Sequence, residues 1–435
     1  MKTPLIPFVL LIALAAAGCG RGEVVESTPP AATGDTAARD QSAGAAKPAS
    51  VADASIEPWR RELLQLAFDA ASRFPSNPHH KNRGRAQDLA VAAAFGLDQP
   101  KLALSFAPRV EGWRRGAAYA DYAWVAAKVG ATVEANRYVE LAQQVLRDEG
   151  RDPNGQDWRS DHVRLRLARA LHQLGDAAGA GELTAKIDKT TTSSVDEAWA
   201  KAIASRVEGM TLEAAKKELL TIDDTWTAQP LGDQYTSLVL IGRIHHRFFD
   251  DAELRAGCED RLFVRFDKLP LDLRTEAMRP LVDGYLEHGD QDGAREVVDK
   301  IAGFVAGFRW RPEDLIPQLA AIAGLRGKVG DADRARQELL EARQKYHEAR
   351  DEIVDIYRCE TLRAIGIAYA DIGDRNEAID VLTLAVEEGM ENPNSRPRCD
   401  DLVETCVEMA KHAIEPSAEL WARLREIRDG LNDPW

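Results

Sequence analysis

Aromatic and sulfur-bearing side chains are scarce in this chain of 435 residues: 6% are aromatic, and there are five cysteines and five methionines. No C-x-x-C pair occurs among Cys258, Cys359, Cys399 and Cys406, which excludes a zinc ribbon or a thioredoxin-type motif. Cys399 and Cys406 lie two helical turns apart, too far for a bridge within one straight helix. A bridge from Cys359 to either is left open beside four separate buried thiols. Positive charge is also in deficit. The 56 Lys and Arg face 71 Asp and Glu for a net charge of −15, so no general attraction to nucleic acid or anionic lipid is expected. No segment alternates polar and apolar residues over a strand's length. Catalytic signatures are missing: H-E-x-x-H, G-x-S-x-G, a phosphate-binding glycine loop and a dinucleotide fingerprint are all absent. The pairs His79-His80 and His245-His246 point about 100° apart on a helix and make poor chelates. The segments from Asp290 and from Asp152 open like calcium loops and lack the later acidic ligands. No catalytic residue, metal or cofactor is assigned, and the chain is read as a non-enzyme.

What the chain has is helical periodicity, in nineteen candidate helices between Glu57 and Gly430. Pro108, Pro280 and Pro317 fall inside three of them and are expected to kink or shorten their helices. Residues 362–389 are the clearest unit. Leu362, Ile365, Gly366 and Tyr369 share a face of one helix, and Gly373 stops it in the left-handed conformation. Asp374 caps a second helix, its carboxylate accepting free N–H groups, and Ala378, Ile379, Leu382 and Ala385 line that helix. Such a pair packs antiparallel and needs neighbours of its own kind to bury its apolar face.

The copies are marked by Gly-Asp with Ala five residues after the Gly: Gly175 with Ala180, Gly289 with Ala294, Gly330 with Ala335 and Gly373 with Ala378. Gly130 with Ala135 and Gly209 with Ala214 are weaker copies, and a degenerate unit turns near Phe249 and Asp250. The mean period is about 40 residues. Trp113 and Trp158 each precede a turn glycine by 17 residues, which predicts first helices of about five turns.

This pattern resembles the tetratricopeptide repeat family, through Leu362, Ile365, Gly366, Tyr369, Gly373, Ala378, Leu382 and Ala385 in the best copy. Leu281, Tyr285, Gly289, Ala294 and Val298 match in part, as do Ile322, Gly330, Ala335, Leu339 and Ala342. The likeness extends over residues 83–431 as helix pairs. The period exceeds the family's about 34 residues and the closing Pro after Ala385 is absent, which leaves HEAT-like repeats as the nearest rival. The resemblance implies an all-α, right-handed superhelical solenoid of antiparallel helix pairs over residues 56–435. It also implies a concave groove lined by the first helix of each pair. Positions carried over from the turn glycines are Trp124; His162, Arg169 and His172; Glu276, Arg279, Asp283 and Glu287; and Arg363. Together they predict a groove basic in its N-terminal part and mixed in its C-terminal part, suited to an extended acidic or zwitterionic peptide. Trp113, Trp124 and Trp158 keep sugar stacking in view. Arg159, Arg164, Arg166 and Arg169 spread around one helix as a solvated face does.

Residues 1–18 read as a signal peptide, with Lys2 ahead of the apolar run Leu5 to Ala17, which is too short to span a bilayer. Ala16-Ala17-Gly18-Cys19 resembles a bacterial lipobox, with Ala16 where Leu is more usual. The resemblance implies a diacylated Cys19 as the new N-terminus, and Gly20 after it implies an outer-membrane destination where the source has two membranes. Cleavage after Ala17, giving a soluble secreted chain, is the alternative. Residues 19–55 are rich in Ala, Gly, Pro, Ser and Thr and read as a disordered tether with a reach of about 30 to 36 Å. The expected function is a non-catalytic scaffold or adaptor for a protein or peptide partner in the cell envelope. It touches the membrane only through its lipid and binds no nucleic acid. A peptide- or carbohydrate-binding lipoprotein of an uptake or cell-wall system is the first alternative, and an enzyme of unrecognised type the second.

Overall fold

A computed structural model of the protein describes residues 50–149, 157–187, 207–229, 231–269 and 274–431. Cys19, the signal peptide, nearly all of the tether and most of the candidate helix 195–208 lie outside the described residues. Within them the chain is all-α, with eighteen helices and no strand. In chain order these are α1 (Pro58–Ala71), α2 (Ser76–Gly96), α3 (Pro100–Phe106), α4 (Trp113–Lys128), α5 (Thr132–Glu149), α6 (Asp157–Gln173), α7 (Ala177–Thr184), α8 (Leu212–Thr225) and α9 (Leu231–Arg247). They continue with α10 (Ala252–Arg265), α11 (Arg274–Glu287), α12 (Gln291–Ala306), α13 (Pro312–Lys328), α14 (Ala332–Ala349), α15 (Asp355–Asp371), α16 (Arg375–Met390), α17 (Ser395–Lys411) and α18 (Ala418–Asp429). Pro108 sits in a 3-10 turn after α3, so that helix is short, whereas Pro280 and Pro317 are carried inside α11 and α13.

The turns explain why the pairs form. Gly130, Gly175, Gly289, Gly330 and Gly373 all have φ between 77° and 86°. At Gly373 the amide donates to Ala370 O at 2.9 Å and the next amide, of Asp374, to Tyr369 O at 2.8 Å, a complete left-handed helix stop. Asp176 and Asp290 cap the following helices, each accepting from a backbone amide three residues on at 2.8 Å. The Asp290 segment is thus a turn, not a calcium loop. Asp374 departs from expectation: its carboxylate makes no capping bond and takes the Arg336 guanidinium at 2.9 Å instead.

Two stops carry no glycine. Asp98 and Ala413, both at φ 52°, close α2 and α17, and the amides of Gln99 and Ile414 donate five residues back as Asp374 does. The weak copy at Gly209 is shifted by one residue. Thr211 caps α8 and Ala215, not Ala214, is buried at the crossing.

Each first helix packs on its own second helix and on the first helix of the next pair: α2 on α4, α4 on α6, α9 on α11, α11 on α13, α13 on α15 and α15 on α17. Close crossings need small residues. A Cβ on Gly366 of α15 would lie 2.7 Å from Leu382 Cγ of α16, and Ala378 is fully buried beside it. The chain then meets its own start. α1 lies antiparallel to α17, with Arg60 Nε donating to Ala410 O at 2.7 Å and Cys399 Sγ to Ala70 O at 3.3 Å. α2 also contacts α17, and one apolar core joins Leu64, Phe68, Ala90 and Phe106 to Val403, Met409, Leu424 and Leu431. Ahead of α1, Val51 is buried against Tyr122, Ala126 and Ala135, and Asp53 accepts from Lys101 N at 2.7 Å. Cys258, Cys359, Cys399 and Cys406 are four separate buried thiols.

Candidate functional site

The first helices turn one polar face toward each other's ends, and ionic links step along it from unit to unit. Asp88 of α2 meets Arg114 of α4 at 3.3 Å. Asp121 of α4 receives Arg169 of α6 at 2.8 Å and Arg166 at 3.5 Å. His246 of α9 contacts Glu287 of α11, and Asp283 of α11 meets Lys328 of α13 at 3.4 Å. Arg363 of α15 holds Glu404 and, at 3.8 Å, Asp401 of α17. Asp371 of α15 accepts from His412, just past α17, at 2.8 Å. Asp400 of α17 takes Arg85 of α2 at 3.3 Å, so the series crosses the junction between the chain's two ends.

Several of these groups titrate away from their ordinary values. Burial, opposed in part by Arg85, pushes Asp400 up to about 6; burial, opposed in part by Arg363, pushes Asp401 up to about 7. Asp401 Oδ2 is buried without a hydrogen-bond partner. Burial works against charge on both Glu408 and His412. Their mutual hydrogen bond, with Asp371 and Lys411 adding to it, prevails, leaving Glu408 at about 2 and His412 at about 9. Burial pushes the Cys359 and Cys399 thiols well above their usual range, which leaves them poor nucleophiles.

The predicted groove residues divide into paired, buried and exposed ones. Trp124 and Arg169 come together, the guanidinium carbon 4.0 Å from the ring centroid, with Lys128 Nζ at 4.5 Å from the same ring. His172 is exposed at the end of α6. Glu276 and Arg279 pair with each other at 3.1 Å along α11. Asp283 and Glu287 hold the neighbouring helices as described. Two placements correct the expectation of a groove-facing side chain. His162 is buried between the indoles of Trp113 and Trp158, at 5.2 and 5.7 Å between ring centroids. Arg363 is buried under Glu404 and Asp401 because its helix packs that side on α17.

Asp121, Asp371, Asp400, His412 and Arg85 were not foreseen. A signal for most of them was present: the partners lie one repeat apart, with separations of 41 for Arg363–Glu404, His246–Glu287 and Asp371–His412, 45 for Asp283–Lys328 and 48 for Asp121–Arg169.

Elsewhere, a surface cavity of about 470 Å³ beside Met210, Lys217 and Glu218 and one of about 350 Å³ between Arg73, Arg109 and Arg428 gather no nucleophile with a base. No metal-holding group of His, Cys, Asp or Glu occurs among the described residues, and no helix among them is long and apolar enough to cross a membrane. No family model matches the chain, and no curated protein matches it.

Proposed function

We propose that the chain is a tetratricopeptide-like scaffold of the bacterial cell envelope. In this reading its helix pairs make about one turn of a right-handed superhelical solenoid, it is held to a membrane by acylated Cys19, and it binds a protein or peptide partner along the face of its first helices. One observation carries the reading. Chemically varied side chains, Asp88 and Arg114 through Asp371 and His412, are distributed over successive units of one face instead of converging on a cleft. A repeat array offers that kind of surface to an extended partner, whereas an enzyme needs a nucleophile, a base and a stabilising group within reach of one atom.

The covered indoles favour a peptide over a sugar: Trp113, Trp124 and Trp158 each carry a cation over the ring, at 4.5, 4.0 and 5.3 Å. The test is a pull-down from the native host's membrane fraction with tagged full-length protein, beside Cys19→Ser, with mass spectrometry on both eluates. A reproducible protein partner, diminished with Cys19→Ser, is the expected result. An eluate with no protein above the untagged control refutes the reading.

A further inference from the structure

The junction between the chain's two ends holds a surface cavity that the first-helix face does not use. It has a volume of about 350 Å³ and is lined by Asp69, Ser72 and Arg73 around the end of α1, by Arg109 in the 3-10 turn after α3, and by Arg428 and Asp429 in the last turn of α18. Every lining side chain is polar. Three guanidiniums face two carboxylates there, which leaves one positive charge in a chain of net charge −15.

The two carboxylates do not use up the donors. Asp429 is held by its neighbour Arg428, through Nε at 2.9 Å and Nη2 at 3.1 Å, and Asp69 accepts from Arg109 Nη2 at 3.2 Å. The Arg73 guanidinium makes no hydrogen bond among the described residues; its one ion contact is to Asp429, at 3.6 Å. A guanidinium offers five N–H donors in a rigid fork, so most of the donors around this cavity are open. Ser72 has none to spare, because its hydroxyl donates to Phe68 O at 2.8 Å. The C-termini of α1 and α18 end here and favour cations near them, yet none of the three guanidiniums bonds a backbone carbonyl. Arg109 lies on the Phe68 ring instead, 4.8 Å from its centroid, which fixes the plane of its fork.

We propose that this cavity binds a phosphate monoester of a small polar molecule. Arginine forks arriving from three elements suit a tetrahedral group with three free oxygens, whereas a planar carboxylate offers two. Sites for small molecules run from about 300 to 1,000 Å³, so a cavity of about 350 Å³ leaves space for an organic body beside the phosphoryl group. Its polar lining calls for a body that carries hydroxyl groups. One wall belongs to α1 and another to α18, so the site is complete only while the chain's ends are joined. Bound ester and closed junction therefore stabilise each other. None of the lining residues belongs to the ionic series of the first-helix face, so the inference goes beyond the scaffold reading and does not depend on it.

The test is isothermal titration calorimetry on the full chain with glycerol 3-phosphate and, as the planar control, acetate. The ester is expected to bind about tenfold tighter than acetate at low salt, and to weaken as salt rises. Arg73→Gln and Arg109→Gln should each lower that affinity several-fold, while Arg295→Gln on α12, whose partner is Asp292 at 2.7 Å, should not. Arg73 is half-exposed and free of hydrogen bonds, so its substitution is expected to leave the fold intact and keeps the test decisive if Arg109→Gln misfolds. A silent titration with the ester, acetate that binds as tightly, or indifference to Arg73→Gln overturns the inference. Displacement of the ester by phosphatidylglycerol vesicles overturns it too, by moving the phosphoryl group to a lipid headgroup.

Discussion

At the scale of single residues, the informative positions are those where side chain and backbone demand disagree. Ala413 occupies the left-handed position that glycine fills in five other units. A Cβ there costs about 1 to 2 kcal/mol, and glycine gives back roughly half of that in unfolded-state entropy. Ala413→Gly is therefore expected to stabilise by about 0.5 to 1 kcal/mol in chemical denaturation; a loss of stability would contradict the conformation at this turn. Asp401 is the second such position. Its carboxyl rises from 3.8 to about 7 on folding, as Asp400 rises to about 6, so between about pH 4 and 7 the folded chain binds more protons than the unfolded one. Stability conferred by these two groups is then greatest at low pH and falls as pH rises through 6 and 7. His412, raised from 6.5 to about 9, contributes fully below 6.5 and loses its contribution as pH passes 9; Glu408, lowered from 4.5 to about 2, contributes above 4.5. The combined expectation of these four groups is maximal stability near pH 4. Asp401→Asn should flatten the decline between pH 4 and 7 and add roughly 1 to 3 kcal/mol at pH 8, where the buried charge is fully present. An undiminished decline in urea melts of the variant would contradict this.

At the scale of elements, the helix pair is the unit that the sequence makes legible, because its stop and its crossing are both local. A glycine at φ 84° and a fully buried alanine five residues later, at Gly373 and Ala378, can be read without knowing what packs outside the pair. Gly373→Val is expected to cost about 1 to 2 kcal/mol through backbone strain alone, since open space surrounds its Cβ position. Ala378→Leu is expected to cost about 1 to 3 kcal/mol through overpacking against α15. Thermal melts check both, and an unchanged midpoint for either would break the account of the pair. Legibility failed where another residue does glycine's work. Asp98 and Ala413 tolerate positive φ and hide two stops, and a one-residue shift puts Ala215 where Ala214 was expected. It failed too for Asp374, whose capping bond lost to an ion pair with Arg336 on the neighbouring unit. The groove residues were half legible. Offsets from a turn find the right helix, but burial of His162 and Arg363 depends on the next helix in space, about 40 residues away in the chain.

At the scale of the whole molecule, the feature least visible in sequence is that the chain's last units find its first. The junction is apolar at its centre, where Phe68 and Ala90 join Val403 and Met409 in one core, and ionic at its edge, where Arg85 meets Asp400 and Glu62 meets Arg425 at 2.6 Å. Neither end has a repeat signature that announces the other; α1 stands outside the repeat pattern altogether and fills the angle between α17 and α2. Closure also makes the first-helix face continuous across the junction, with Asp400 of α17 set against Arg85 of α2. The most direct measurement is the distance between spin labels at Glu62→Cys and Arg425→Cys, the four described native thiols being buried. A single narrow distribution at short range is the expected result. A long, broad distribution, such as units stacked about 10 Å apart in an open array would give, would contradict the closed junction and the continuous face built on it.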